Sequence, residues 1–449
     1  MVDRVRRSVA FALVGTLAVA VPALGRAEDP AYATVAAAGP FLAVAAVALT
    51  LDAGNVFFEL FARPGDRRDG KLYGLAGFAL AAAGLSILTV EFGLPAHAYV
   101  GTVLLVAYGN LGGQLARVAN ADPFFATAGF VVGGFLAATA GQIVATGAIG
   151  APVALPDVVF LAASGALLGA LLREMLFRRD DPLVMAVIAI LLWLFATLPV
   201  GITTTRIAVA LGVTVVLGYV SYVLETASIA GMLTGVLLGL LTIVLGDFGW
   251  FAMLVAFFGI GGLAAKYRYD EKKRRGIAEE NEGARGSGNV LANSLVALVA
   301  VLGAAASPDL GVPVRAFLFA FASAVSAALA DTLSSEIGGL YDRPRLITTL
   351  KVVDPGTDGA VTWQGELAGI AGALIVAVIG FLAFGGLGAA GAAVVVAAGV
   401  AGMTADSFLG ATIEGWLCGN QGINFLATLV AALIGAALAV TLGLTSAPL

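Results

Sequence analysis

The chain has 449 residues, 60% of them hydrophobic and 12% charged, with a formal net charge of −5. Soluble domains carry about 25% charged residues, so this much apolar surface needs lipid as its solvent, and a water-soluble fold is excluded. One cysteine, Cys418, and one histidine, His97, exclude an internal disulfide and a zinc site of the Cys/His type; any metal should be a hard ion held by oxygen, such as magnesium.

Apolar runs long enough to span a bilayer recur along the whole chain. The first five are expected at Ser8–Leu24, Val35–Leu51, Leu72–Val90, Ala98–Ala116 and Phe124–Thr146. The next five are Val158–Leu172, Leu183–Val200, Ile207–Val223, Ile229–Leu245 and Trp250–Ala265. The last five are Val290–Ala306, Ala316–Leu333, Leu367–Phe384, Ala389–Thr404 and Ile423–Leu442. The fold class is therefore all-α, a polytopic transmembrane bundle of about fifteen helices. Its 59 glycines and many alanines suit close helix packing in lipid. The first run follows Arg4, Arg6 and Arg7 and also fits a signal peptide cleaved within Ala23–Ala27; an uncleaved helix is the expected reading.

Charge sets the expected orientation. With the N-terminus cytoplasmic, the inside turns hold Arg63, Arg67, Arg68 and Lys71, then Arg117, then Arg173, Arg178 and Arg179. The basic run Lys266–Arg285, and Arg343, Arg345 and Lys351, also fall inside. The outside breaks Ala27–Tyr32, Glu91–His97, Gly246–Gly249 and Ser307–Pro313 are almost free of Lys and Arg, with Arg26 and Arg206 at helix ends. The expected setting is a multi-pass protein of the cell membrane, with no nucleic-acid partner.

Polar side chains near helix ends are costly to bury and usually mark function. The strongest group is Ala330–Gly339, ADTLSSEIGG. Asp331 and Ser335 are four apart and share a helix face, and Glu336 adds a second carboxylate; together they suit magnesium with its waters and substrate phosphates. An amphipathic helix end would explain the same residues. The second group is Val352–Glu366, VVDPGTDGAVTWQGE. Pro355-Gly356 makes a turn, after which Gly356, Thr357, Gly359 and Thr362 offer amides and hydroxyls for phosphate, and Asp358 a carboxylate for metal. Lys351 precedes the turn and Glu366 ends the segment. No Walker loop is present, and a solvated turn-rich loop accounts for the segment nearly as well. Asn289 and Asn293 begin a helix, either as caps or as contacts to ribose, base or phosphate. Ala405–Gly415 adds Asp406 and Glu414 at another helix end. All four segments fall on the expected cytoplasmic face, which points to one active site there. The run Lys272–Arg275 reads first as a positive-inside anchor, and second as an attractor of nucleotide or anionic lipid.

From about Thr226 to the C-terminus the chain resembles the membrane family that includes transmembrane protein 19 and phytyl-phosphate kinase. KYRYDEKKRRGI, GSGNVLANS, ADTLSSEIG, PRLITTLKVVDPGTDGAVTWQGELAG and ADSFLGATIEG carry the resemblance, in order. It implies a magnesium-dependent kinase that phosphorylates an isoprenyl monophosphate to its diphosphate, with CTP as the implied donor. Asp331, Glu336 and Asp358 would then hold metal and phosphates, and Lys351, Thr357 and Thr362 would steady the transferring group. Asn289 and Asn293 would touch the nucleotide or the lipid phosphate. Ser335, Glu366, Asp406 and Glu414 are further candidates. Residues 1–225 form a separate N-terminal membrane domain beside a C-terminal domain, 226–449. The N-terminal half is faintly similar to phytol and dolichol kinases, through RDGKLYGLAGFAL, VLLVAYGNLGGQLARVAN and FATAGFVVGGFLAA. Those kinases carry an acid where this chain has Asn110, so the expectation is two related halves with the first weakened as a catalyst. Two other readings remain open. One is a transporter or flippase, which many helices and internal repeats also suit. The other is a different CTP-dependent lipid-phosphate nucleotide transferase.

Overall fold

The structure, a computed structural model, describes residues 2–175, 181–224, 227–278 and 286–446. Arg178, Arg179 and residues 279–285 of the basic segment lie outside that set. Among the described residues, thirteen helices are long and apolar enough to cross a membrane. Two further expected spans fall on Ala96–Ala119, of 24 residues, and Asp181–Thr197, of 17. The first of these is long enough to cross but carries His97, Asn110, Gln114 and Arg117. The protein is thus a polytopic all-α membrane bundle. Its strands are two residues each, Arg345–Leu346 and Ala360–Val361, paired antiparallel with Arg345 opposite Val361.

The chain divides into two compact units. One holds Met1–Leu198 and Ile202–Leu211, the other Pro199–Gly201 and Gly212–Leu449. In the first unit, Ala96–Ala119 and Pro123–Ala148 cross through glycines. A Cβ on Gly113 would lie 3.0 Å from the Ala126 carbonyl oxygen, and one on Gly133 2.9 Å from that of Tyr108. Small residues let these backbones touch, which is the main route to tight association where lipid removes the hydrophobic driving force.

The second unit is built around one buried helix, Val314–Gly338. Its inward run is Ala- and Ser-rich, with Ser323, Ala324, Ser326, Ala328 and Ala330 all buried. Three neighbouring helices turn glycines toward it: Trp363–Ala383 with Gly365, Gly369 and Gly372, Gly388–Ile413 with Gly399 and Gly402, and Asn420–Thr441 with Gly435. A Cβ on Gly365 would stand 2.7 Å from the Ser334 carbonyl oxygen, and one on Gly372 3.0 Å from that of Leu329. The same Trp363–Ala383 helix exposes Leu374, Val378, Phe381 and Leu382 on its other side, as a lipid-facing surface requires. Close packing of this kind fixes the central helix and hence the position of the acids at its end.

Candidate active site

The cleft is assembled at one end of the central helix. Asp331, Ser335 and Glu336 occupy the last two turns of Val314–Gly338. Asp406 lies in the last two turns of the neighbouring Gly388–Ile413, and Glu414 follows that helix directly. Asn289 and Asn293 enter from the first turns of Ser287–Ala305. The 339–362 loop closes the cleft with Gly356, Thr357, Asp358, Gly359 and Thr362. All of these residues line one cavity of about 450 Å³. Four stretches far apart in sequence therefore meet in one place.

Charge in this cavity is one-sided. Five carboxylates line it and, among the described residues, no Lys or Arg does. Asp331 and Asp406 lie within hydrogen-bonding reach of each other. Two carboxylates that close repel unless a proton or a cation lies between them. The Oδ1 atom of Asp406 is buried and, among the described residues, accepts no hydrogen bond. Burial first, and the adjacent Asp358 carboxylate second, hold Glu414 above the ordinary range of a glutamate. Among the described residues no three acidic, His or Cys side chains form a ready-made metal cage. Magnesium does not need one: it commonly takes one or two carboxylates and fills its octahedron with water and substrate phosphates. An all-oxygen donor set with an orphaned carboxylate oxygen fits that ion, with Asp331 and Asp406 as the inner pair.

The loop is shaped for close approach. Gly356 and Gly359 both adopt left-handed φ, +85° and +72°. Gly359 also rests on the Asp406 helix, where a Cβ would meet Ala411 and the Ser407 carbonyl. Only glycine meets both demands, and the contact holds Asp358 beside Glu414. Thr357 Oγ1 donates to the Asp354 carbonyl at 2.7 Å and tightens the turn. Among the described residues the N–H groups of Gly356, Asp358 and Gly359 donate to no protein acceptor, leaving three amides for an anion. Thr362 caps its helix: its Oγ1 accepts from Gly365 N at 3.2 Å and donates to the Gly338 carbonyl at 3.3 Å.

Three expected residues are placed differently from the rest. Glu336 borders the cavity, but its carboxylate accepts from Lys272 Nζ at 2.5 Å. This pair is buried, with side chains 1% and 9% exposed. Lys272 also donates to the carbonyls of Ala264 and Ala265, at 2.7 and 3.3 Å. Its three donors are thereby spent on one partner and on the otherwise open end of Phe248–Lys266. Lys351 is exposed and lies outside the cavity lining, because the short hairpin after Arg345 turns it away. Glu366 is half-buried in the first turn of its helix and is also outside the lining. Ser335 Oγ donates to the Thr332 carbonyl at 3.2 Å, and Asn293 Nδ2 to the Asn289 carbonyl at 3.0 Å.

The cavity also holds Asn420 and Asn424, at the start of Asn420–Thr441. Sequence reasoning passed over them, although they repeat the spacing of Asn289 and Asn293. Two helix starts thus each present an amide pair to the acids.

Residues 212–432 match the integral membrane family described as DUF92. An uncharacterized membrane protein of Methanocaldococcus jannaschii is 34% identical over 218 residues, covering 47% of this chain and 85% of that protein. The chain belongs to the DUF92 family. Among other relatives of this DUF92 chain, the chloroplast protein VTE6 of Arabidopsis thaliana is 32% identical over 194 residues, 42% of the chain and 56% of VTE6. Protein PGR of the same plant is 32% identical over 231 residues, 46% of the chain and 79% of PGR. No solved structure matches. The DUF92 match starts at Gly212, where the main stretch of the second unit begins, and spans every residue of the acidic cleft. This is the family expected from the motifs.

Proposed function

We propose that the protein is a membrane isoprenyl-phosphate kinase, which moves a phosphoryl group from CTP to a polyprenyl or phytyl monophosphate and forms the diphosphate. The observation that carries the reading is the single acidic cleft at the end of the central helix, assembled from all four polar segments. Its motifs are those that resemble phytyl-phosphate kinase, and VTE6 is similar over 194 residues, 42% of the chain.

In the reaction an oxygen of the lipid monophosphate bonds to the γ-phosphorus of CTP. The bond from that phosphorus to the β,γ-bridging oxygen breaks, and CDP leaves. The attacking oxygen already carries negative charge, so no general base is needed, and a chain with a single histidine can do this chemistry. What remains is positioning and charge neutralisation. Magnesium would supply positive charge to offset the lining carboxylates. Asp331 and Asp406 would hold it, with Asp358 and Glu414 at the rim. The free amides of the 356–359 turn would orient phosphate oxygens, and the amide pairs Asn289/Asn293 and Asn420/Asn424 the nucleotide or lipid phosphate. On the positive-inside orientation, this places the reacting phosphates at the cytoplasmic surface with the isoprenyl tail in the bilayer.

A transporter would place its ionisable residues near the bilayer midplane. Here Asp331 and Asp406 stand in the last two turns of long helices, which favours surface chemistry over passage. The test is transfer by purified protein in detergent, with magnesium and CTP or ATP labelled at the γ-phosphate, and phytyl or geranylgeranyl monophosphate as acceptor. Labelled lipid diphosphate from CTP is the expected product. A cytidylyl-lipid product would make the protein a nucleotide transferase, and no product from folded protein would overturn the kinase reading.

A further inference from the structure

The first unit contains a cleft of opposite character. It has a volume of about 550 Å³ and is lined by five arginines: Arg4, Arg7, Arg63, Arg117 and Arg173. Three carboxylates share the lining, and each has a partner of its own. Asp66 accepts from the backbone N–H groups of Arg63 and Gly74, at 2.8 and 2.9 Å. Asp69 pairs with Arg68 at 3.2 Å. Asp181, with a side chain 3% exposed, is held between Arg63, at 2.5 Å, and Arg173.

We infer that this cleft is a phosphate-binding site of the N-terminal unit, built for the phosphomonoester group of a lipid or for free phosphate, and that it binds without transferring. Two guanidiniums share the one Asp181 carboxylate, so a positive charge is left over in a partly buried place. Such a charge is costly unless an anion joins it. The guanidiniums are also held in position. Arg63 stacks on the Phe11 ring at 4.8 Å and Arg173 on the Phe130 ring at 5.2 Å. Arg7 donates to the Ala62 carbonyl at 3.0 Å and, among the described residues, keeps other donors free. Among the described residues, Arg4 and Arg117 have no ion-pair partner. Fixed planar donors from several segments around one cavity match the tetrahedral array of phosphate oxygens.

Metal-assisted transfer is not built in here. Asn110, whose amide lies 3.5 Å from Asp181, stands at the cavity with no negative charge, and every lining carboxylate is engaged. The site stands whether or not the acidic cleft of the second unit is a kinase.

The test is calorimetric titration of the full chain in an uncharged detergent, at low salt with EDTA. Without a divalent cation the acidic cleft repels anions, so binding reports the arginine cleft. Geranyl monophosphate and inorganic phosphate are the two probes. The expected result is saturable binding of one geranyl monophosphate per chain. Arg7→Gln with Arg117→Gln should weaken it by at least about tenfold, the loss of charge-assisted bonds. Arg117→Gln alone, at an exposed unpaired residue, should weaken it several-fold without disturbing folding, and Asp331→Asn should leave it unchanged. Equal binding of inorganic phosphate assigns the site to free phosphate; binding of the geranyl ester alone assigns it to a lipid headgroup. No saturable binding by the unaltered protein, or binding that survives both arginine variants, overturns the inference.

Discussion

At the scale of single residues, the Lys272–Glu336 pair separates two roles that look alike in sequence. Glu336 sits five residues after Asp331 and reads as a second metal ligand, yet its carboxylate is spent on a buried ammonium. Glu336→Gln should therefore act on stability before chemistry. It leaves the buried Lys272 ammonium with neutral acceptors and no counter-charge, and the loss should be about 3 kcal/mol in thermal unfolding in detergent. Replacing both, Lys272→Met with Glu336→Leu, should cost less than either single change. Glu414 makes a prediction in pH. Burial and Asp358 penalise its charged form, so its proton comes off above the usual carboxylate range, about 4.3 for glutamate. Metal binding needs the charged form. Magnesium affinity should then rise as pH increases through this raised value, and Glu414→Gln should flatten that rise; an unchanged pH profile in the variant would place Glu414 outside the metal's reach.

At the scale of elements, the spans were legible because lipid forces long apolar runs, and each expected span falls on a helix. Helix ends were legible less well: Ala389–Thr404 is really Gly388–Ile413, since Asp406 continues the helix inside the cleft rather than ending it. The 339–362 loop shows a harder limit. Lys351 stands next to the phosphate turn in sequence, but in the hairpin, where its carbonyl accepts from Leu346 N at 2.9 Å, it is exposed and outside the cavity lining. Which way a loop side chain faces depends on a partner strand that sequence spacing does not reveal. The pair Asn420/Asn424 was overlooked for a related reason, because only the fold brings it beside Asn289 and Asn293. The loop also carries a test. Gly359→Ala adds a Cβ at left-handed φ against the Asp406 helix. It should move Asp358 and cut transfer by at least about tenfold, the scale of effect that small misplacements of reacting groups produce. The strain should also lower the unfolding temperature, so transfer is compared well below it, with the variant shown to be folded by its elution. Unaltered transfer would mean that the turn does not position phosphate.

At the scale of the molecule, the two units divide the charge. The second concentrates acids in one cleft, the first arginines in another. That division was partly visible beforehand: Asn110 puts a neutral amide where the faint resemblance to phytol and dolichol kinases leads one to expect an acid, and Asp331, Asp358, Asp406 and Glu414 stand out in an otherwise apolar chain. What sequence could not give is how the leftover charge is handled. Nothing in the sequence singles out Asp181, and only the structure brings it between Arg63 and Arg173.

The central claim is that phosphoryl transfer takes place where Asp331 meets Asp406. Its most direct test compares the unaltered protein with Asp331→Asn in the CTP-to-isoprenyl-phosphate assay, with both shown to be folded by their elution and unfolding temperature. The swap keeps shape and removes one charge from the pair that would hold the cation. The account predicts a fall in rate of at least about a hundredfold, comparable to losing a main electrostatic contact to the transition state. An Asp331→Asn protein that transfers phosphate at the unaltered rate would contradict it.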